Sequence, residues 1–170
     1  MTVQTAQNLT TRSPAANIVP AEALATMSGL DLLLAMGAGK LPMPPMHEVI
    51  PMVPVAAEHG AVTFEAEPAA CFYNPLGTVH GGYAATLLDT AMGCADHSTL
   101  KTGQGYSTLE IKVSFVRAMS ESSGKVRIEG KIINRGRQVA TAEGRLLDAR
   151  DRLLAHATTT CLLFSLPTPG

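Results

Sequence analysis

Residues 74–93 read Asn-Pro-Leu-Gly-Thr-Val-His-Gly-Gly-Tyr-Ala-Ala-Thr-Leu-Leu-Asp-Thr-Ala-Met-Gly. Turn formers lead into His80-Gly81-Gly82, and a run of small and apolar residues then predicts a helix. That helix carries one carboxylate, Asp89, among Leu87, Leu88, Ala91 and Met92. A carboxylate in so apolar a run is costly to bury unless it has partners or a task. If the helix starts near Gly81, its first-turn N–H groups are free and form a positive end suited to an oxyanion. Asp89 lies eight residues further, about 12 Å along the axis at roughly 1.5 Å per residue. One helix cannot easily offer both features to the same carbonyl, whereas two antiparallel copies can. At about 100° per residue, Asp89 shares a face with Gly82, Ala85 and Gly93, which lets a second backbone come close. The segment therefore points to a two-fold dimer with a site across its interface. The plain alternative is a satisfied Asp in a buried helix, with glycines there for packing alone.

Outside this segment the composition narrows the possibilities. A chain of 170 residues, 46% hydrophobic, fits one domain with a well-filled core and some tail. Formal net charge is −1, so bulk electrostatics suggest neither nucleic acid nor a membrane surface. With no Trp and 4% aromatic residues, a base-stacking platform is disfavoured. Cys71, Cys94 and Cys161 are an odd set without metal-ligand spacing and read as free thiols in a reducing compartment. No signal peptide is legible, and no run approaches the roughly 18 apolar residues that span a bilayer. A cytoplasmic location is expected, with no cofactor and no metal.

In chain order, residues 1–19 read as a tail, 20–165 as one domain and 166–170 as a short C-terminal tail. Ala21 to Met36 has helical spacing and ends at Gly37 and Gly39. Leu41 to Met46 is a proline connector whose Met43 and Met46 suit an adaptable pocket, as do Phe72 and Met92. Val49–Val55 and Ala61–Glu67 are strand candidates, and Pro51 and Pro54 confine the first to an edge. Beyond Gly103 the period becomes two: Leu109, Ile111, Val113 and Phe115 alternate with Thr108, Glu110, Lys112 and Ser114. Turns at Ser122–Gly124, Asn134–Arg137 and Asp148–Arg152 divide the rest into Val126–Ile132, Gln138–Leu147 and Leu153–Phe164. The expected architecture is α+β: a four-strand antiparallel meander and two earlier strands, curved around the central helix.

Taken together, Asn74-x-x-Gly77-Thr78-x-His80-Gly81-Gly82, Leu88-Asp89 and the run from Thr108 to Arg117 resemble the hotdog-fold acyl-CoA thioesterases of the phenylacetate-pathway type. The likeness covers about residues 28–164. It implies side-by-side dimers, often dimers of dimers, and hydrolysis of an acyl-CoA to free acid and CoA. On that resemblance Asp89 is the nucleophile or general base, and the Gly81 N–H polarises the thioester carbonyl. His80 orients that carbonyl or caps the loop, and Asn74 holds the attacking water or the thioester. Thr108 matches a Ser/Thr position near the carboxylate, although its strand parity opposes the apolar face, which leaves Ser107 as the fallback. Gly82 and Met92 fall near the substrate. Phe115, Val116 and Arg117 match one CoA-contacting segment, and Asn134, Arg135, Gly136 and Arg137 another, with arginines suited to phosphate.

Three other readings compete, the weakest being a hotdog hydratase, for which nothing here supplies the usual catalytic His and acid pair. A non-catalytic acyl-CoA-binding hotdog module would need Asp89 only for structure. An α/β-hydrolase would need a Gly-x-Ser-x-Gly elbow, which Gly105-Tyr-Ser107-Thr-Leu109 fails at its last position. Cys94-Ala-Asp96-His97 lacks the second pair a metal site needs, and Asp96 is assigned to the helix end.

Overall fold

The computed structural model describes residues 18–167. Residues 1–17 and 168–170, which fall in the two expected tails, lie outside them. The organising segment forms helix α3, Gly81–His97. Before it come α1 (Ala21–Thr26), α2 (Gly29–Gly37), β1 (Val53–Glu58) and β2 (Ala61–Ala66); after it come β3 (Gln104–Phe115), β4 (Val126–Arg135), β5 (Val139–Leu147) and β6 (Leu153–Ser165). Together the strands make one curved antiparallel sheet packed around α3, the hotdog fold expected from the sequence.

Three details differ from the sequence reading. The helix expected over Ala21–Met36 is broken in two, because Ser28 starts a new one: its Oγ accepts from the Asp31 N–H (3.2 Å) and donates to Asp31 Oδ2 (2.6 Å). Gly29 is needed there, since a Cβ would stand 1.8 Å from the His97 carbonyl oxygen. Next, the strand expected from Val49 begins at Val53, and a short 3-10 turn, Pro45–Glu48, precedes it. Finally, the last four strands are not a simple meander. Sheet order is β1-β2-β4-β5-β6-β3, so β3 crosses over to an edge beside β6, and β2 occupies the place next to β4. β1, as expected from its prolines, is the opposite edge.

Small residues let the sheet hold the helix closely. Gly130 and Gly144 are register partners on β4 and β5. A Cβ on Gly130 would stand 2.2 Å from the Ala91 carbonyl oxygen, and one on Gly144 would stand 2.9 Å from Met92 Cγ. The α3 backbone thus crosses β4 in direct contact. Leu87, Leu88, Ala91, Met92 and Ala95 are fully buried against Val126, Ile128, Ala142, Leu146 and Leu154.

Irregularities bend the sheet, and one of them re-aims a side chain. On β3, Thr108 pairs with Cys161 and Glu110 with Thr160, which leaves Leu109 as an extra, bulged residue. The bulge reverses the parity of the strand. Thr108 therefore lies on the inner face together with Val113, which packs on the core, while Leu109 is exposed. The conflict between Thr108 and the apolar face is resolved here, and Ser107 is exposed on the other side.

Candidate active site

The α3 N-terminus is built by the loop before it. Asn74 Oδ1 accepts from the Leu76 and Thr78 N–H groups (2.9 and 3.3 Å), and its Nδ2 donates to Thr78 Oγ1 (2.9 Å). Gly77 takes a positive φ of 79° in that turn. The side chain of Asn74 thus shapes its own loop in this chain. The His80 N–H donates to the Phe72 carbonyl (2.7 Å), and His80 Nδ1 accepts the Gly82 N–H (2.9 Å) as the helix cap. An accepting Nδ1 leaves the imidazole proton on Nε2. The Gly81 N–H has no acceptor among the described residues.

Around this tip two clefts meet. One, of about 330 Å³, is lined by Gly81, Phe115, Val116, Arg117, Met119 and Leu154, so the first expected CoA segment does converge on Gly81. The Phe115 ring ends 3.0 Å from where a Gly81 Cβ would be. The other, of about 450 Å³, includes Cys71, Tyr73, His80, Gly82 and Thr86. A smaller apolar cavity of about 70 Å³ lies under α2 and includes Met36, Met43, Phe64, Thr90 and Cys94. Met92 is not at any of these surfaces; it is fully buried in the core.

Asp89 sits on the α3 face toward β3, half-buried, and its Oδ1 accepts from Thr108 Oγ1 at 3.2 Å. Thr108 Oγ1 also lies 4.0 Å from Cys161 Sγ. The Tyr106 hydroxyl rests on Gly93, 2.5 Å from where a Cβ would stand. Burial pushes the thiols of Cys94 and Cys161 up to about 12, with the charge of Asp89 adding to the first. Both are therefore neutral thiols near pH 7 and poor nucleophiles. Asp96, one further along the same face, is fully buried, and neither carboxylate oxygen has a hydrogen-bond partner among the described residues. Burial raises its pKa, and the Cys161 thiol and the Arg135 charge oppose this. It is the last residue but one of α3, at the helix end as expected, and it is buried there.

The second expected CoA segment is elsewhere. Arg135 Nε donates to Thr99 Oγ1 (3.0 Å), Nη2 to Gln104 Oε1 (3.5 Å) and Nη1 to the Gly136 carbonyl. Arg135 thus ties the turn Asn134, Arg135, Gly136 and Arg137 to the C-terminal end of α3, about 25 Å along the helix from Gly81. Within one chain the two segments do not meet. Reading the sequence missed Cys161, Tyr106 and Thr159 as neighbours of the site. The alternation Ala155, Ala157, Thr159, Cys161 marks the inner face of β6, but it does not say which strand lies alongside. Among the described residues no group of three or more His, Cys, Asp or Glu is gathered to hold a metal.

Comparison with known proteins gives the family. The thioesterase superfamily model matches residues 76–155. A solved structure from Ralstonia eutropha JMP134, named as a thioesterase and phenylacetic acid degradation-related protein, is 30% identical; the alignment covers 76% of this chain and 97% of that one, with a TM-score of 0.70. A Halobacterium salinarum protein named as an esterase is 33% identical over 84 residues, 48% of this chain; the chain spans only 54% of that curated relative's length. A Streptococcus mutans protein solved with acetyl-CoA bound shares the fold at 24% identity and a TM-score of 0.62, over 69% of this chain and 91% of that one. The chain belongs to the hotdog thioesterase superfamily.

Proposed function

We propose that this protein hydrolyses acyl-CoA thioesters to a free acid and CoA, with Asp89 as general base or nucleophile. A thioester is activated enough for a carboxylate to attack it, or to deprotonate a water that does. The observation that carries the reading is the pairing of Thr108 Oγ1 with Asp89 Oδ1 (3.2 Å) where α3 faces β3. This bond aims the carboxylate and leaves its second oxygen for the reaction.

The oxyanion donor in this reading is the Gly81 N–H of a second copy. In one chain Gly81 and Asp89 are about 12 Å apart, too far to share a carbonyl. β3 is a free edge of twelve residues, and Leu109 and Phe115 are each 59% exposed; long apolar edges invite pairing. Antiparallel pairing of two β3 edges brings the tip of one α3 toward the partner's Asp89. It also brings the Asn134–Arg137 turn of one copy toward the Phe115–Arg117 cleft of the other, which supplies one CoA site from two chains. His80 caps the donor helix, Asn74 shapes the loop that presents it, and Gly82 keeps the tip accessible. The apolar cavity with Met43, which Thr90 and Cys94 of α3 also line, is the natural place for an acyl group.

The test is turnover of an acyl-CoA panel with a thiol reagent. Asp89→Asn should lower the rate by at least about tenfold, about 1.4 kcal/mol of barrier. A smaller effect would overturn the assignment.

A further inference from the structure

The hydroxyl that holds Asp89 depends on the bulge in β3, and the bulge is tied from both faces of the sheet. Thr159 Oγ1 donates to the Glu110 carbonyl at 2.7 Å from the inner face, where Thr159 is 2% exposed. Thr160 Oγ1 donates to Glu110 Oε1 at 3.1 Å from the outer face. Glu110 is the first residue after bulged Leu109, so both bonds act where the register of β3 changes. Without the extra residue the strand would return to strict alternation, and Thr108 would turn to the same side as Ser107's neighbours Glu110 and Lys112, away from α3. Thr159 also lies beside Cys161, whose thiol faces Thr108. The inner face of β6 is otherwise built of Ala155, Ala157, Cys161 and Leu163, all buried. A hydroxyl in such a row is costly unless bonded, and valine would fill nearly the same volume without that requirement.

We propose that Thr159 is a positioning residue for hydrolysis: its bond to the Glu110 carbonyl locks the β3 bulge and so keeps the Thr108 hydroxyl aimed at Asp89. The inference rests on the reading of Asp89 as the reacting carboxylate. Thr159 acts through Thr108 and touches no substrate.

The experiment compares Thr159→Val, Thr159→Ser, Thr108→Val, the Thr108→Val/Thr159→Val double variant and Asp89→Asn, with acetyl-CoA and phenylacetyl-CoA as probes. A crystal structure of Thr159→Val accompanies the kinetics; Thr159→Ala replaces it if the valine chain does not fold. Loss of the tie should lower kcat about tenfold and change KM less than about twofold. Thr159→Ser should restore the rate, and the double variant should be no slower than Thr108→Val alone. In the crystal, Thr108 Oγ1 should be out of hydrogen-bond reach of Asp89 Oδ1. The proposal is overturned if the two losses multiply, or if the Thr108–Asp89 bond survives in the valine variant. If that bond is lost but Asp89→Asn remains fully active, the clamp stands and the hydrolytic reading of Asp89 fails instead.

Discussion

Thr108 Oγ1 reaches Asp89 Oδ1 at 3.2 Å from a strand position that simple alternation assigns to the opposite face. Nineteen residues separate the two in the chain. Their meeting joins the edge strand to the central helix at the carboxylate assigned to the reaction.

Replacing Thr108 by valine should therefore act on the chemical step. A hydrogen bond to a carboxylate contributes about 1.5–3 kcal/mol, so kcat should fall roughly 10- to 100-fold while KM stays within a few-fold. Thr108→Ser, which keeps the hydroxyl, should stay close to the parent rate. Steady-state kinetics on the two variants would decide the matter; equal rates for valine and serine would remove Thr108 from the mechanism.

A shared site makes a separate forecast. Asp89→Asn and Gly81→Pro chains, each inactive alone, should regain activity when mixed, because a heterodimer contains one intact pairing of acid and donor. The measurement is hydrolysis after co-refolding, with heterodimers confirmed by mass spectrometry. Confirmed heterodimers without recovery would rule out the shared site.

Gly130 and Gly144 differ in what opposes them, and stability should show it. A methyl at Gly130 meets the backbone of Ala91 at 2.2 Å, which cannot retreat without moving α3, whereas one at Gly144 meets the flexible end of Met92 at 2.9 Å. Gly130→Ala should cost about 3 kcal/mol or more, and Gly144→Ala about 1 kcal/mol. Denaturant midpoints of the two variants give the comparison.

Asp96 sets a pH dependence. Burial raises its pKa in the folded chain, against the pull of the Cys161 thiol and the Arg135 charge. From about pH 4, where the unfolded group titrates, up to the raised folded value, the folded state holds a proton that the unfolded state has released. Stability therefore falls as pH rises through that interval. Unfolding midpoints at about pH 4.5 and about pH 8 should show this decline in the parent chain. In Asp96→Asn the decline should be smaller, since the titrating group is gone; identical slopes would mean that Asp96 ionises at little cost.

Much of this molecule is legible in short-range pattern. The apolar spacing of α3, Asp89 set among its apolar residues, the glycines at its tip and the period-two strands after Gly103 all follow from residues a few positions apart, where local geometry rules. The family likeness of residues 74–117 rests on the same local motifs. What pattern could not supply is set by partners far away in the chain. The crossing of β3 to the edge beside β6 depends on β2 already occupying the flank of β4. The bulge that turns Thr108 inward exists only against the register of β6. Asp96 is buried because the sheet closes over the last turn of α3, and the two arginine-bearing segments are parted by the full length of that helix. Periodicity reports which side of its own element a residue takes. Which element lies on that side, and at what register, is decided when the whole sheet closes on the helix.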